Sequence, residues 1–430
     1  MSSRPIPTAV IALQHRNFRL LWLGQLISLT GSNMQTAAIL WQVSLLAPPG
    51  FKGLALGAVG LVRVVPIAVF SLISGVVADA LDRRKLMLLT QTGMTLVATA
   101  LAILAFGGLK ALWPVYALAA ISAAFGTFDA PARQSLIPNL VPQEHFPNAI
   151  SLNSVMMQTA MVMGPGLAGI VLAALGIGWA YAFNALSFLA VIAGLLLMRG
   201  VQARSAGQQR TEISLKSAVE GLRYVFAAPL IRSTMLLDFF ATFFSSAITL
   251  LPIFAQDILK VGPQGYGLLY AAPALGGMLA GLALIGYVQQ IKRRGWVLLA
   301  AVVIYGLATT LFGLSRSFGL TFLCLFATGA ADEVSTVLRN IIRQLTTPDH
   351  LRGRMVSVNM IFFMGGPQLG ELEAGLVANW LGAPISVISG GLACLIVTLG
   401  VGWKTPALRH YRQDAVMPPA DQAHAAAAGS

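Results

Sequence analysis

RQSLIPNLVPQEHFPNAISLNSVMMQTAMVMGPGLAG (133–169) decides how this chain is read, because it comes back. At a constant offset, residues 339–375 read RNIIRQLTTPDHLRGRMVSVNMIFFMGGPQLGELEAG. Arg133 meets Arg339, Pro142 meets Pro348 and Ser151 meets Ser357. Asn153 meets Asn359, Gly164 meets Gly370 and Gly169 meets Gly375. A second pair of segments, GVVADALDRR (75–84) and GYVQQIKRRG (286–295), matches at a nearby offset, with Gly75 against Gly286 and Arg83 against Arg294. Matches that keep one spacing over this length point to a chain made of two similarly folded halves.

What surrounds the repeat is strongly apolar. Of 430 residues 57% are apolar and 10% charged, and the mean hydropathy is +0.77. Soluble domains are nearer 45–50% apolar and about 25% charged. So few charges cannot clothe a water-soluble core of this size. An ordinary soluble enzyme, a disordered chain and a secreted disulfide scaffold are therefore excluded. About 20 apolar residues cross a bilayer as a helix, and twelve such spans are expected: 20–46, 54–78, 86–107, 112–132, 149–175, 180–199, 231–255, 265–290, 296–314, 318–340, 355–380 and 384–403. The first apolar run starts near Leu20 and continues for more than twenty residues, so it reads as a retained span, not a cleaved leader.

The spacing predicts an all-helical membrane protein with a cytoplasmic N-terminus (1–19), a six-helix half (20–199), a linker (200–230), a second six-helix half (231–403) and a disordered tail (404–430). Within the linker, Ala218, Val219, Leu222, Val225 and Phe226 fall on one helical face, as in a helix lying at the bilayer surface. Twelve spans place both termini on the same side. Of the 28 Lys and Arg residues, 23 fall on that side and four on the other. By the positive-inside rule both termini are cytoplasmic, in a plasma (inner) membrane. The net charge of +13 is thus an orientation label, and nucleic acid is not an expected partner.

GVVADALDRRK (75–85) resembles the signature loop of the major facilitator superfamily, with Asp82 where that family usually has Gly. FRLLWLGQLISLTGSNMQ (18–35), DAPARQSLIPNLVP (129–142) and NAISLNSVMMQTAMVMGPGLAG (148–169) resemble its branch of bacterial exporters that contains the enterobactin exporter and macrolide efflux pumps. Asp79 and Arg83 are four residues apart, as are Asp129 and Arg133, within ion-pair reach on a helix. The resemblance implies that Gly75, Asp79, Arg83, Arg84, Asp129 and Arg133 form a conformational lock. Ala160, Gly164, Pro165, Ala168 and Gly169 resemble an antiporter motif, with Ala at two of its Gly positions; generic close helix packing explains the same pattern. The resemblance implies export of a siderophore or an amphiphilic drug by proton antiport and alternating access. The implied partners are a small-molecule substrate, protons and the lipid bilayer, with the monomer as working unit.

Apart from Arg199, Arg232 and Arg339 at span ends, seven charges fall inside the expected spans: Arg63, Asp129, Asp238, Asp332, Glu333, Glu371 and Glu373. Charges in lipid are costly and usually face a pathway or one another. Arg63 and Glu371 sit at similar depth from the outer side, and superfamily geometry implies that their spans face each other, making them a candidate gate pair, with Glu373 as the alternative partner of Arg63. Asp238, Asp332 and Glu333 are candidates for a proton or cationic substrate site; simple neutralisation by Arg232 or Arg339 is the competing reading. Gln25, Ser28, Ser32 and Gln35 lie near one face of the first span, placed either to line a cavity or to hydrogen-bond a neighbouring helix.

Cys324 and Cys394 read as buried apolar residues, and His15, His145, His350, His410 and His424 have no metal-site spacing. With no phosphate-binding loop, catalytic-triad spacing or Cys/His cluster, neither enzymatic activity, a cofactor nor a metal is expected. Rival readings are a metal-ion exporter and a non-transporting sensor or scaffold.

Overall fold

The computed structural model describes residues 8–200, 223, 225–244 and 247–412. Most of the expected linker helix lies outside them. Among the described residues, twelve long helices follow in chain order. They are α1 (Arg16–Leu46), α2 (Lys52–Ala80), α3 (Arg83–Phe106), α4 (Trp113–Leu136), α5 (Phe146–Ala174) and α6 (Ile177–Leu197), then α7 (Pro229–Phe244), α8 (Gly262–Tyr287), α9 (Arg294–Leu314), α10 (Phe318–Thr346), α11 (Asp349–Leu381) and α12 (Ala383–Lys404). No strand occurs among the described residues. Among the described residues, ten helical segments are long and apolar enough to cross a membrane. The expected first and eleventh spans form full-length helices, α1 and α11, that are not among those ten. Polar side chains such as Gln25, Gln35 and Gln42 in α1, and Glu371 and Glu373 in α11, lower their hydropathy.

Local chemistry sets the helix ends. Asp82 caps α3, its carboxylate accepting from the Arg84 and Lys85 backbone N–H groups at 2.9 and 3.3 Å. This stabilises the turn at the position where the resembling family has Gly. Gly176 joins α5 to α6 at φ 91°, and Gly382 joins α11 to α12 at φ 89°. Both conformations favour glycine, and these two residues keep the spacing of the sequence repeat.

The chain forms two compact units. The first contains Met1–Gln209 and Leu251–Ala271, the second Arg210–Leu250 and Ala272–Ser430. In the first, α1 packs on α5 and α6, and α3 packs on α4 and α6. In the second, α7 packs on α11 and α12, and α9 packs on α10 and α12. Each of these pairings in the first unit thus has its counterpart six helices later. Phe18, Met87, Leu136 and Leu195 anchor the first core, and Leu237, Leu298, Leu338 and Cys394 the second. Large apolar side chains also cover the outside, including Ile285 and Ile396, with Trp113, Trp380 and Trp403 at helix ends. An apolar exterior with tryptophans at helix ends is what a bilayer solvates.

Two segments depart from the expected organisation. Residues 251–271, expected to belong with the second half, associate with the first unit. There Lys52 Nζ lies 2.8 Å from Asp257 Oδ2, Ser44 donates to Gln256 Oε1 at 3.0 Å, and Tyr266 donates to the Ala37 carbonyl at 3.0 Å. The tail, expected to be loose from 404 onward, is held through Tyr411. Pro406–Arg409 form one helical turn, Leu408 and Tyr411 are buried, and the Gly295 N–H donates to the Tyr411 carbonyl at 3.1 Å. A Cβ on Gly295 would strike the Leu408 carbonyl. Residues from 413 on lie outside the described set.

Candidate functional site

The charged core of the second unit is an ion cluster linking three helices. On α10, Asp332, Ser335, Thr336, Arg339 and Arg343 recur at helical spacing and form one polar stripe. Asp238 of α7 lies against it. One carboxylate oxygen is 3.0 Å from Arg339 Nη2 and the other 3.1 Å from Arg343 Nη2. Arg339 also approaches Asp332 at 3.5 Å and donates to the Ser335 and Thr336 hydroxyls at 2.7 and 2.8 Å. Arg343 further donates to Asn359 Oδ1 of α11 and to the Thr234 carbonyl of α7 at 2.9 Å. The Asp238, Arg339 and Arg343 side chains are almost fully buried, whereas the Asp332 side chain is 45% exposed. Asp238 is thus committed to two arginines. Glu333 points elsewhere: its carboxylate lies beside Gly281 of α8. Among the described residues it has no cationic group within ion-pair distance.

The first unit holds its acid differently. Asp129 is 6% exposed and accepts from Thr90 Oγ1 and Gln91 Nε2 of α3 at 3.0 and 2.9 Å. Its other oxygen lies 3.9 Å from Arg133 Nε, one turn along the same helix. Arg83 donates to the Ser135 carbonyl at the end of α4 at 2.8 Å, and Arg84 to the Leu196 carbonyl of α6 at 3.2 Å. These bonds tie the 2–3 loop to the carbonyl ends of two helices. Gly75 lies in the last turns of α2, and the Asp79 side chain lies outside the described residues.

Small residues of α5 meet two neighbours. Ala160, Gly164, Pro165, Ala168 and Gly169 are all buried. A Cβ on Gly164 would collide with Asn33 and come within 2.7 Å of the Thr30 carbonyl of α1. One on Gly169 would come within 2.8 Å of the Pro263 carbonyl and 3.0 Å of Gly267 Cα. The motif therefore lets α5 approach both α1 and the first turns of α8.

Side chains on the polar face of α1 divide their roles. Gln35 accepts from Asn184 of α6 at 2.8 Å, and Gln42 accepts from the Tyr181 hydroxyl at 2.6 Å. Ser28 and Gln25 are buried, and Ser32 is half-buried. Arg63 of α2 donates to Thr36 Oγ1 of α1 at 2.8 Å. Its proposed partner Glu371 lies on α11, in the second unit.

Long helices with an apolar exterior suit a membrane protein, and comparison with known proteins specifies its family. The family model described as "transmembrane secretion effector", a group of the major facilitator superfamily, matches residues 8–424. The chain belongs to that family. It is 26% identical over 400 residues to the enterobactin exporter EntS of Escherichia coli K12, covering 93% of this chain and 94% of that protein. The match to EntS of Shigella dysenteriae has the same identity and coverage. Among solved structures, it superimposes on a bacterial homologue of the human lysosomal transporter Spinster, inward-facing and unoccupied, with a TM-score of 0.69 and 16% identity over 95% of this chain and 98% of that one. A bacterial homologue of the iron transporter ferroportin, also inward-facing, gives 0.66 and 18% over 90% and 98%.

These relationships support a multi-pass membrane exporter and place the chain among transporters, not enzymes. Arg343 was missed as a site residue because the expected tenth span ended at residue 340. Its spacing of four from Arg339, on the face of Asp332 and Ser335, was the available signal. The Gln35–Asn184 and Gln42–Tyr181 bonds have no such signal, because they depend on which helices become neighbours.

Proposed function

We propose that this chain is a proton-driven exporter with twelve spans in two six-helix halves, both termini cytoplasmic, working as a monomer by alternating access. Export from the cytoplasm across the inner membrane is the activity proposed, by analogy with the exporter named in the EntS relatives. The cargo class proposed is a siderophore or an amphiphilic drug. The observation that carries proton coupling is Glu333. It is a half-buried carboxylate on a membrane-embedded helix, beside a glycine of α8 and without a cationic neighbour among the described residues. Such a group can change protonation without breaking an ion pair, whereas Asp238 cannot. Arg63 and Glu371 are proposed as an outer gate, and Asp79, Arg83, Arg84, Asp129 and Arg133 as the cytoplasmic lock.

Proteoliposomes with an imposed pH gradient test this reading. With a catecholate siderophore or a macrolide as probe cargo, wild-type protein should accumulate it against its gradient. Glu333→Gln should abolish gradient-driven accumulation while leaving cargo-for-cargo exchange. Gradient-driven accumulation by Glu333→Gln at the wild-type rate would remove Glu333 from the coupling role. A metal-exporter reading gains little from the donor set: among the described residues no group of three His, Cys, Asp or Glu side chains converges.

A further inference from the structure

Among the described residues, Nε2 of Gln25 on α1 and Nε and Nη1 of Arg133 near the C-terminal end of α4 are buried donors without a hydrogen-bond partner. Gln256 Nε2 is a fourth in the first unit. Gln25 is 2% exposed. Gln25 and Arg133 line one cavity of about 10 Å³, walled by Phe18, Trp22 and Met156. Of the other polar groups nearby, Asn153 also lines the cavity and donates to Met157 Sδ at 3.9 Å, and Gln91 Oε1 is a buried acceptor without a hydrogen-bond partner among the described residues. Trp22 Nε1 donates to the Leu152 carbonyl at 3.0 Å, and Asp129 uses one oxygen on Thr90 and Gln91. Its other oxygen, at 3.9 Å from Arg133 Nε, is beyond hydrogen-bond length.

Buried N–H groups are nearly always paired, and a guanidinium cannot shed its charge to escape the penalty. The three unpartnered atoms of Gln25 and Arg133 all donate, and one group is a permanent cation. A metal ion or an ammonium group would meet like charge there. A water would accept from these donors but bring two protons of its own. An electron-rich anionic atom matches the set. The volume admits one atom of about water size, and the aromatic walls suit a ring behind it.

We propose that this cavity is an anion subsite that takes a single electron-rich atom, either a free halide or the outermost oxygen of an organic carboxylate or phenolate. Gln25 and the Arg133 fork supply the donors, and Phe18 and Trp22 flank the hydrocarbon behind an organic oxygen. This subsite does not depend on proton coupling, since anion binding is read at equilibrium without a gradient.

Thermal unfolding of the full chain in detergent, at constant ionic strength with sodium HEPES as the bulky reference anion, reads the binding. Sodium salicylate should raise the unfolding midpoint, and neutral salicylamide should not. Gln25→Leu, which leaves the Asp129–Arg133 pair in place, should weaken salicylate about tenfold, the ratio one charge-assisted contact carries. Arg133→Gln should abolish the effect, and Arg133→Lys should retain part of it. Stabilisation by chloride but not salicylate assigns the site to a free halide; competition between the two assigns it to both. The proposal fails if salicylamide matches salicylate, if Gln25→Leu binds like wild type, or if neither anion shifts the wild-type midpoint. Should Arg133→Gln not fold, Gln25→Leu decides.

Discussion

Replacing Asp238 by Asn tests the electrostatic logic of the second unit. The substitution keeps size and shape but removes the negative charge between Arg339 and Arg343, which are 3.0 and 3.1 Å away. Two guanidinium groups, each at most 3% exposed, would then share only Asp332, 3.5 Å from Arg339 and half in solvent. Breaking a buried pair typically costs about 3–5 kcal/mol, because a charge is stranded away from water. At about 2–4 °C per kcal/mol for a unit of this size, the midpoint should fall by roughly 6–20 °C. Asp332→Asn removes one longer contact from a half-exposed carboxylate and should cost about 1 kcal/mol or less. A double-mutant cycle sharpens the test. Adding Arg343→Met to Asp238→Asn removes one stranded charge, so the double variant should be more stable than Asp238→Asn alone. Fluorescence-monitored unfolding in detergent measures wild type and every variant. The reasoning is refuted if Asp238→Asn melts within about 2 °C of wild type, or if Asp332→Asn loses as much.

Three further outcomes follow from the first unit. Gly267→Val should destabilise the protein by several kcal/mol and raise thiol labelling of a cysteine placed at residue 44, because a Cβ there falls 2.6 Å from the Pro165 carbonyl and Gly169 Cα. Lys52→Ala should lower stability by less than about 1 kcal/mol and lose even that in high salt, since its pair with Asp257 is partly solvent-exposed. His15 Nε2 and His145 Nδ1 are 2.8 Å apart, and burial, then the neighbouring His145, lowers the His15 pKa from its usual 6.5, while Glu144 opposes the shift. The folded state therefore binds fewer protons than the unfolded one, and stability falls as pH drops below 6.5 toward the lowered value. His15→Asn should flatten that slope in unfolding measured across the window.

How much of this was legible in the sequence depends on what each feature needs to know. Helix positions needed only hydropathy, and every expected span overlaps a helix. Gly176 and Gly382 shared the spacing of the repeat, so the turns they make were encoded twice. The partners of buried polar groups were harder to read. Gln35 lies on a face that also suited a cavity, and only the approach of α6 turns it toward Asn184. The sequence offers Arg232 or Arg339 as a neutraliser of Asp238; Arg339 holds it together with Arg343, because the crossing of α7 and α10 sets that contact. Residues 251–271 contain no local signal for their association with the first unit. It arises from contacts such as Gly169 against Gly267, where two helices lack side chains at the same height.

The held tail has a consequence for how the chain is made. Gly295 begins α9, and its backbone is covered by Leu408 and Tyr411, synthesised more than a hundred residues later. The N-terminal end of α9 therefore cannot reach its final packing until the segment through Tyr411 has been made. A chain truncated before Pro406 leaves the Arg294–Gly295 turn uncovered.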